Sequence, residues 1–326
     1  MPAVITHNFF GREMYDAHFQ TIGGTRDEAD AFLLGNQGPD PLFYTLISPH
    51  IAEFHSLGQA MHKQKPAELL AAMKMAVDTL EGVQQKIGRA YALGFLCHYA
   101  LDSTMHPFVY AQQFELCDAG EPGLSRADGS EVHGLIESEL DEIVLFNKYG
   151  ETIATFNPAN ETLNASIAVL QVVSKIYAYV ASAVYDVVTP PNLFLMATLN
   201  FRIVQQAFYS PRGIKRQLIG RVERILRPYS FFKAMSHRAN ASTTSQFDNR
   251  HHNVWQNPFT TEKSTASFWD LHNAAKIKAA QLIEAFDNNF SLEATQNLTG
   301  RFNFSGSPTQ AELVSVQDGC ATASEG

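Results

Sequence analysis

The 326-residue chain has little cysteine, and what it has is scattered: Cys97, Cys117 and Cys320, an odd number with no CxxC pair. That excludes a disulfide framework and a thiolate zinc cluster, so a metal here would have to be held by histidines and carboxylates. The start, Met1 to His7, carries neither a basic cluster nor an apolar run of signal-peptide length. No stretch approaches the roughly 20 uninterrupted apolar residues of a spanning helix. These absences set the expectation of a soluble cytoplasmic protein. Internal repeats and long alternating strand patterns are missing too, which leaves helix-on-helix packing as the best class.

What is present is a hydrophobic content of 45%, ample for a sizeable core. The pattern predicts an all-α fold: one multi-helix domain over residues 1–304, then a Ser/Thr/Gly-rich flexible tail over 305–326. Pro66–Gln85 and Lys86–His106 both read as helical, either one helix bent near Gly82 or Gly88 or two helices. Loop signals fill 117–130, and a helix follows from Glu131 to Lys148. Further helices are expected over Glu161–Val188, stopping before Pro190-Pro191, and over Asn192–Tyr209. Residues 236–262 read as polar turns, and Thr265–Phe286 as the last helix.

Charge is unevenly spread. The net charge of −9 argues against general nucleic-acid binding. Residues 201–238 hold nine Lys or Arg against Glu223 alone, which leaves that segment at +8 and the rest at −17. The basic helix of 212–227 places Ile214, Leu218, Val222, Ile225 and Leu226 on one face and arginines on the other. It is either an ordinary solvated face or a point of peripheral contact with an anionic membrane.

The chemistry concentrates before residue 140. In Gly94-Phe-Leu-Cys-His98-Tyr-Ala-Leu-Asp102-Ser-Thr-Met-His106, the three polar side chains recur at i, i+4 and i+8. At 100° per residue they fall within about 80° of arc on one helix face. A carboxylate in such apolar surroundings needs an ionic or metal partner. His98 and His106 lie about 12 Å apart along the axis, too far to share one ion, with Asp102 between them. His133-x3-Glu137 is a second i, i+4 pair able to grip one ion. Gly35-Asn-Gln-Gly-Pro39-Asp40 holds a carboxylate on a tight turn, and His7 lies near the start. Each feature alone has a bland reading as a surface pair, a cap or a packing residue; the ordered set is what carries weight.

That set resembles the zinc-dependent phospholipase C family, which includes secreted bacterial phospholipases C and the catalytic domain of glycosylphosphatidylinositol-specific phospholipase D. The resemblance runs through Thr6-His7, Gly38-Pro39-Asp40, the Gly94–His106 run and His133-x3-Glu137, with weaker support from Arg250–Pro258. It implies two or three zinc ions. Asp40, His62, His98 and Asp102 would hold one, and His106, His133 and Glu137 another. Asp102 would bridge to a third that also uses His7. The histidine between Asp40 and His98 is open among His50, His55 and His62, with His62 favoured because it follows a helix-like segment containing Gly58. The resemblance makes Asp40 the candidate base and, with Asp102, a candidate catalytic residue. The implied substrate is a phospholipid or a smaller phosphodiester. In the secreted members an N-terminal Trp completes the third site; here six residues precede His7, so that site is either absent or completed by the amino group of Pro2. A single-strand nuclease and a non-catalytic, metal-stabilised binding protein are the competing readings.

Overall fold

The computed structural model describes residues 3–45, 51–120, 124–226 and 230–309, with Leu226 described in its backbone only. Thirteen helices occur among them: α1 (Val4–Ile22), α2 (Arg26–Gly35), α3 (Ile51–Lys63), α4 (Pro66–Asp78), α5 (Gly82–Asp118), α6 (Gly129–Tyr149), α7 (Pro158–Glu161), α8 (Ile167–Tyr185), α9 (Leu193–Phe208), α10 (Ile214–Leu226), α11 (Phe231–Met235), α12 (Phe268–Asn288) and α13 (Leu292–Thr299). The only strands described, β1 (Trp255–Gln256) and β2 (Lys263–Ser264), form one short antiparallel pair. The fold is all-α, as expected.

Several predicted boundaries are corrected, each for a local reason. The 66–106 stretch is two helices, broken at 79–81, with Gly82 at a φ of 56° that favours glycine. The second does not stop at His106; α5 runs through Pro107 to Asp118. Proline withdraws the donor that would have met the Ser103 carbonyl, and Gly306 packs beside that carbonyl. The helix predicted over 161–188 starts later, because Ser166 caps α8 through Val169 N–H. It ends earlier, at Asp186 in the left-handed region, rather than at the prolines. The 265–286 helix is α12, opened by a capping box between Ser267 and Asp270, and α13 follows it. Of the predicted tail, 310–326 lies outside the described residues. Ser305–Thr309 is described: Thr309 N–H donates to the Arg301 carbonyl.

α5 is the axis. It packs against α1, α2, α4, α6, α8 and α12, and nearly all of Ile87–Val109 is buried. Its closest neighbour is α2, and glycine permits the approach. A Cβ on Gly94 would lie 2.0 Å from the Phe32 carbonyl oxygen, and one on Gly35 2.3 Å from that of Tyr91. Backbone-on-backbone contact at this crossing brings the 36–40 turn down onto His98. α8 is long and apolar enough to cross a membrane by length and composition, but its inner face is packed on α4 and α9.

Candidate metal centre

The α5 stripe points into the middle of the molecule. His98, Asp102 and His106 are 0%, 3% and 5% exposed. One oxygen of Asp102 lies 3.1 Å from His7 Nε2 on α1, and the other 3.1 Å from His98 Nε2. The His7 and His98 rings stack with centroids 4.4 Å apart. From the other side of His98 comes Asp40, at the start of a 3-10 turn, Asp40–Tyr44. Gly38 permits that turn: its φ is 51°, and a Cβ there would lie 2.2 Å from the His98 ring. Tyr177 fixes the turn by donating its hydroxyl to the Gly38 carbonyl at 2.8 Å. His62 on α3 reaches Asp40 Oδ1 at 3.1 Å. One α5 turn past Asp102, His106 Nε2 is 3.5 Å from Glu137 Oε1, which is also 3.1 Å from His133 Nε2.

Four of the five imidazoles are oriented from behind in the same way. Nδ1–H donates to the Gly58 carbonyl from His62, to the Asn36 carbonyl from His98, to the Phe304 carbonyl from His106, and to Gln113 Oε1 from His133. With Nδ1 so committed, Nε2 is the nitrogen turned toward the carboxylates. This is how proteins fix the tautomer of a metal-ligating histidine.

Electrostatics keep the carboxylates charged. Burial alone would push the Asp102 carboxyl up, but His106, His98 and His7 hold it well below the usual carboxylate range. Burial also raises Asp40 and Glu137; the hydrogen bond from His62 and the charge of His98 more than offset it at Asp40, as His133 and His106 do at Glu137. In the reverse sense, burial disfavours charge on His7 and His106, yet Asp102 raises both, His106 markedly. The carboxylates therefore demand positive charge, and imidazoles are their neighbours.

The donor set fits a metal. His98 Nε2, Asp102 Oδ2 and Glu137 Oε2 are buried with no hydrogen-bond partner among the described residues, although the first two are only 3.1 Å apart. Ligand atoms around a tetrahedral zinc at about 2.1 Å lie about 3.4 Å from one another. Three groups of potential ligand atoms lie within 4.8 Å of each other: His7, Asp40 and His98; His62, His98 and Asp102; and His106, His133 and Glu137. All eight residues singled out in the sequence thus converge. His98 and His106 fall in separate groups, as the axial spacing requires. One detail differs from the expected sets: His7 groups with Asp40 and His98 as well as facing Asp102. His55 rests edge-on against Phe43 and joins none of these groups. His50 and the Pro2 amino group lie outside the described residues.

Sequence reading missed the outer layer. Asp141 receives Ile5 N–H, Thr6 N–H and the Thr6 hydroxyl, pinning the start of α1 and so His7. His237, which has no ligand spacing in the sequence, is bonded to the same carboxylate at 2.8 Å. A signal existed, since Asp141 continues the i, i+4 spacing of His133 and Glu137. Phe304 had none: its carbonyl orients His106, and its ring packs near His62 and His98.

Fold and centre together define an all-α protein with a buried histidine–carboxylate cluster able to hold metal. The profile of the family described as "Zinc dependent phospholipase C" matches residues 6–186, and the chain belongs to that family. The matched span contains every candidate ligand and ends just beyond α8. Searches of curated proteins and of solved structures find no match.

Proposed function

We propose that the chain hydrolyses phosphodiesters in the manner of a phospholipase C, on a phospholipid or a smaller diester. The observation that carries this reading is the buried convergence of five imidazoles on Asp40, Asp102 and Glu137, four of those rings oriented through Nδ1. His62, His98, Asp102 and Asp40 would hold one zinc, with His106, His133 and Glu137 holding another and His7 beside Asp102 serving a third. Zinc bound there supplies Lewis acidity, polarising phosphoryl oxygens and lowering the pKa of water.

The chain's own contributions follow from the geometry. Asp40 is ionised at neutral pH and is steadied by His62, so its carboxylate can accept a proton from the attacking water. Asp102 holds His7 and His98 in register on opposite oxygens. A small cavity of about 30 Å³ touches His7, Asp102, His106 and Glu137, room for about two waters. Its remaining wall is mostly apolar, built from Ala3, Leu101, Met105, Val109, Leu140 and Phe268 together with Thr6.

The test is metal content by elemental analysis, followed by parallel assay of choline phospholipids, a chromogenic phosphodiester and single-stranded DNA. Zinc with lipid or small-diester cleavage is expected. Protein free of transition metal would defeat the reading; metal with cleavage of DNA alone would move it to a nuclease. Metal with no cleavage would move it to a binding protein.

A further inference from the structure

α10 is amphipathic the wrong way round. Its inner side is polar: Arg216 donates Nε–H to the Ser236 carbonyl and Nη2–H to the Lys233 carbonyl, both at 3.1 Å. Glu223 accepts from the Ser230 hydroxyl and from Phe232 N–H. Between them, Gly220 is buried against the aliphatic stem of Lys233. The apolar side faces outward. Ile214, Leu218, Val222 and Ile225 are 59%, 58%, 62% and 82% exposed. At 100° per residue these four occupy about 80° of arc, a straight ridge along the helix. An amphipathic helix on a globular surface ordinarily turns this face to the core. Here hydrogen bonds to the body hold it away.

The ridge is bordered by cations. Arg221 and Arg224 are exposed along one edge and Lys215 along the other. The 201–238 segment carries +8 on a body of −17, so an anionic surface would repel most of this molecule and attract this part. A convex apolar ridge between basic edges is complementary to anionic head groups over an acyl layer. We propose that α10 is a docking helix that lies in the interface of an anionic bilayer, with Ile214, Leu218, Val222 and Ile225 inserted and Arg221 and Arg224 at head-group level. α10 lies beyond residues 6–186, the span that the family profile matches. It is independent of the hydrolytic reading.

The experiment is co-sedimentation of the full chain with phosphatidylcholine vesicles and with phosphatidylcholine–phosphatidylserine vesicles, with lipid phosphorus release assayed separately so that docking and hydrolysis are read apart. Binding is expected to require the anionic lipid and to fall steeply with salt. Val222→Glu with Ile225→Glu should weaken it by about ten-fold per residue. Arg221→Gln with Arg224→Gln should weaken it by about five-fold per residue. All four positions are exposed, so helix content and thermal midpoint should be unchanged. Wild-type protein that ignores anionic vesicles, or variants that bind as the wild type does, would overturn the proposal. Self-association without lipid, abolished by the same glutamate substitutions, would overturn it in favour of a second copy of the chain.

Discussion

α5 and α10 both turn polar side chains toward the body of the protein, and they differ in what lies on their other sides. Around α5 the remaining faces are covered by α2, α12 and their neighbours, so its histidines and carboxylate are sealed in an apolar mass. Around α10 the opposite face meets no described element and is left exposed. The polar groups also find different partners. Arg216 and Glu223 are satisfied by backbone and hydroxyl groups, whereas His98 Nε2 and Asp102 Oδ2 lack such partners. A polar stripe on a helix therefore fastens the helix to its neighbours in one place and forms a candidate ligand set in the other. The leftover lone pairs, more than burial, tell them apart.

The strongest way to break this contrast is at Asp102. Asp102→Asn should lower zinc content and reduce phosphodiester cleavage by at least about 100-fold, since losing a ligand exceeds the 10–100-fold typical of losing its outer partner. Full zinc content with normal turnover would mean the α5 stripe is only a packed polar network. Next in size is Gln113→Leu, which removes the acceptor behind His133. Metal affinity measured by chelator competition should drop about 10–100-fold, with the fold intact; unaltered affinity would show that packing alone orients the ring.

On the α10 side, Glu223→Ala deletes two bonds to the start of α11 and should cost about 1–3 kcal/mol locally. Hydrogen exchange should accelerate in α10 and α11 while α5 stays protected; uniform protection would mean the inner face is held by something else. The smallest effect concerns Lys278 on α12, whose ammonium donates to the Ser103 hydroxyl and is pushed down to about 8 by burial, from an ordinary 10.5. Below pH 8 both folded and unfolded chains carry the charge, and the folded one bears the burial cost. As pH rises from about 8 toward 10.5 the folded lysine sheds its proton first, so stability gains. Lys278→Met should be more stable at pH 7, and its advantage should shrink by pH 10 in denaturant midpoints. A constant difference would show that the back of α5 is wetter than its burial suggests.

Much of the centre was legible because it is periodic. His98, Asp102 and His106 announce themselves by spacing, as do His133 and Glu137, and the Gly-Pro-Asp turn marks Asp40. The helical class follows from the same periodicity. What periodicity does not encode is contact between distant residues. Phe304 meets His106 across 198 positions, and Asp141 meets Thr6 across 135. Neither has a local pattern naming its partner. Nor does amphipathicity say which face is inward: Ile214, Leu218, Val222 and Ile225 were readable as one face of α10, but Arg216 and Glu223 decide its orientation through bonds to α11 and the segment after it. The break before α8 was obscured for a related reason, since Ser166 acts as a cap only through its own geometry.

The hydrogen bond from His106 to the Phe304 carbonyl also has a temporal meaning. Every candidate ligand lies within the first 137 residues, yet the proton on His106 is placed by a residue synthesised long afterwards. Phe304 N–H closes the same seam by donating to the His62 carbonyl. A nascent chain would thus present its histidines early and unfinished, and finish the cluster only once its distal segment has folded back. If the cluster holds zinc as proposed, tight loading is expected only in chains that have been made at least as far as Phe304.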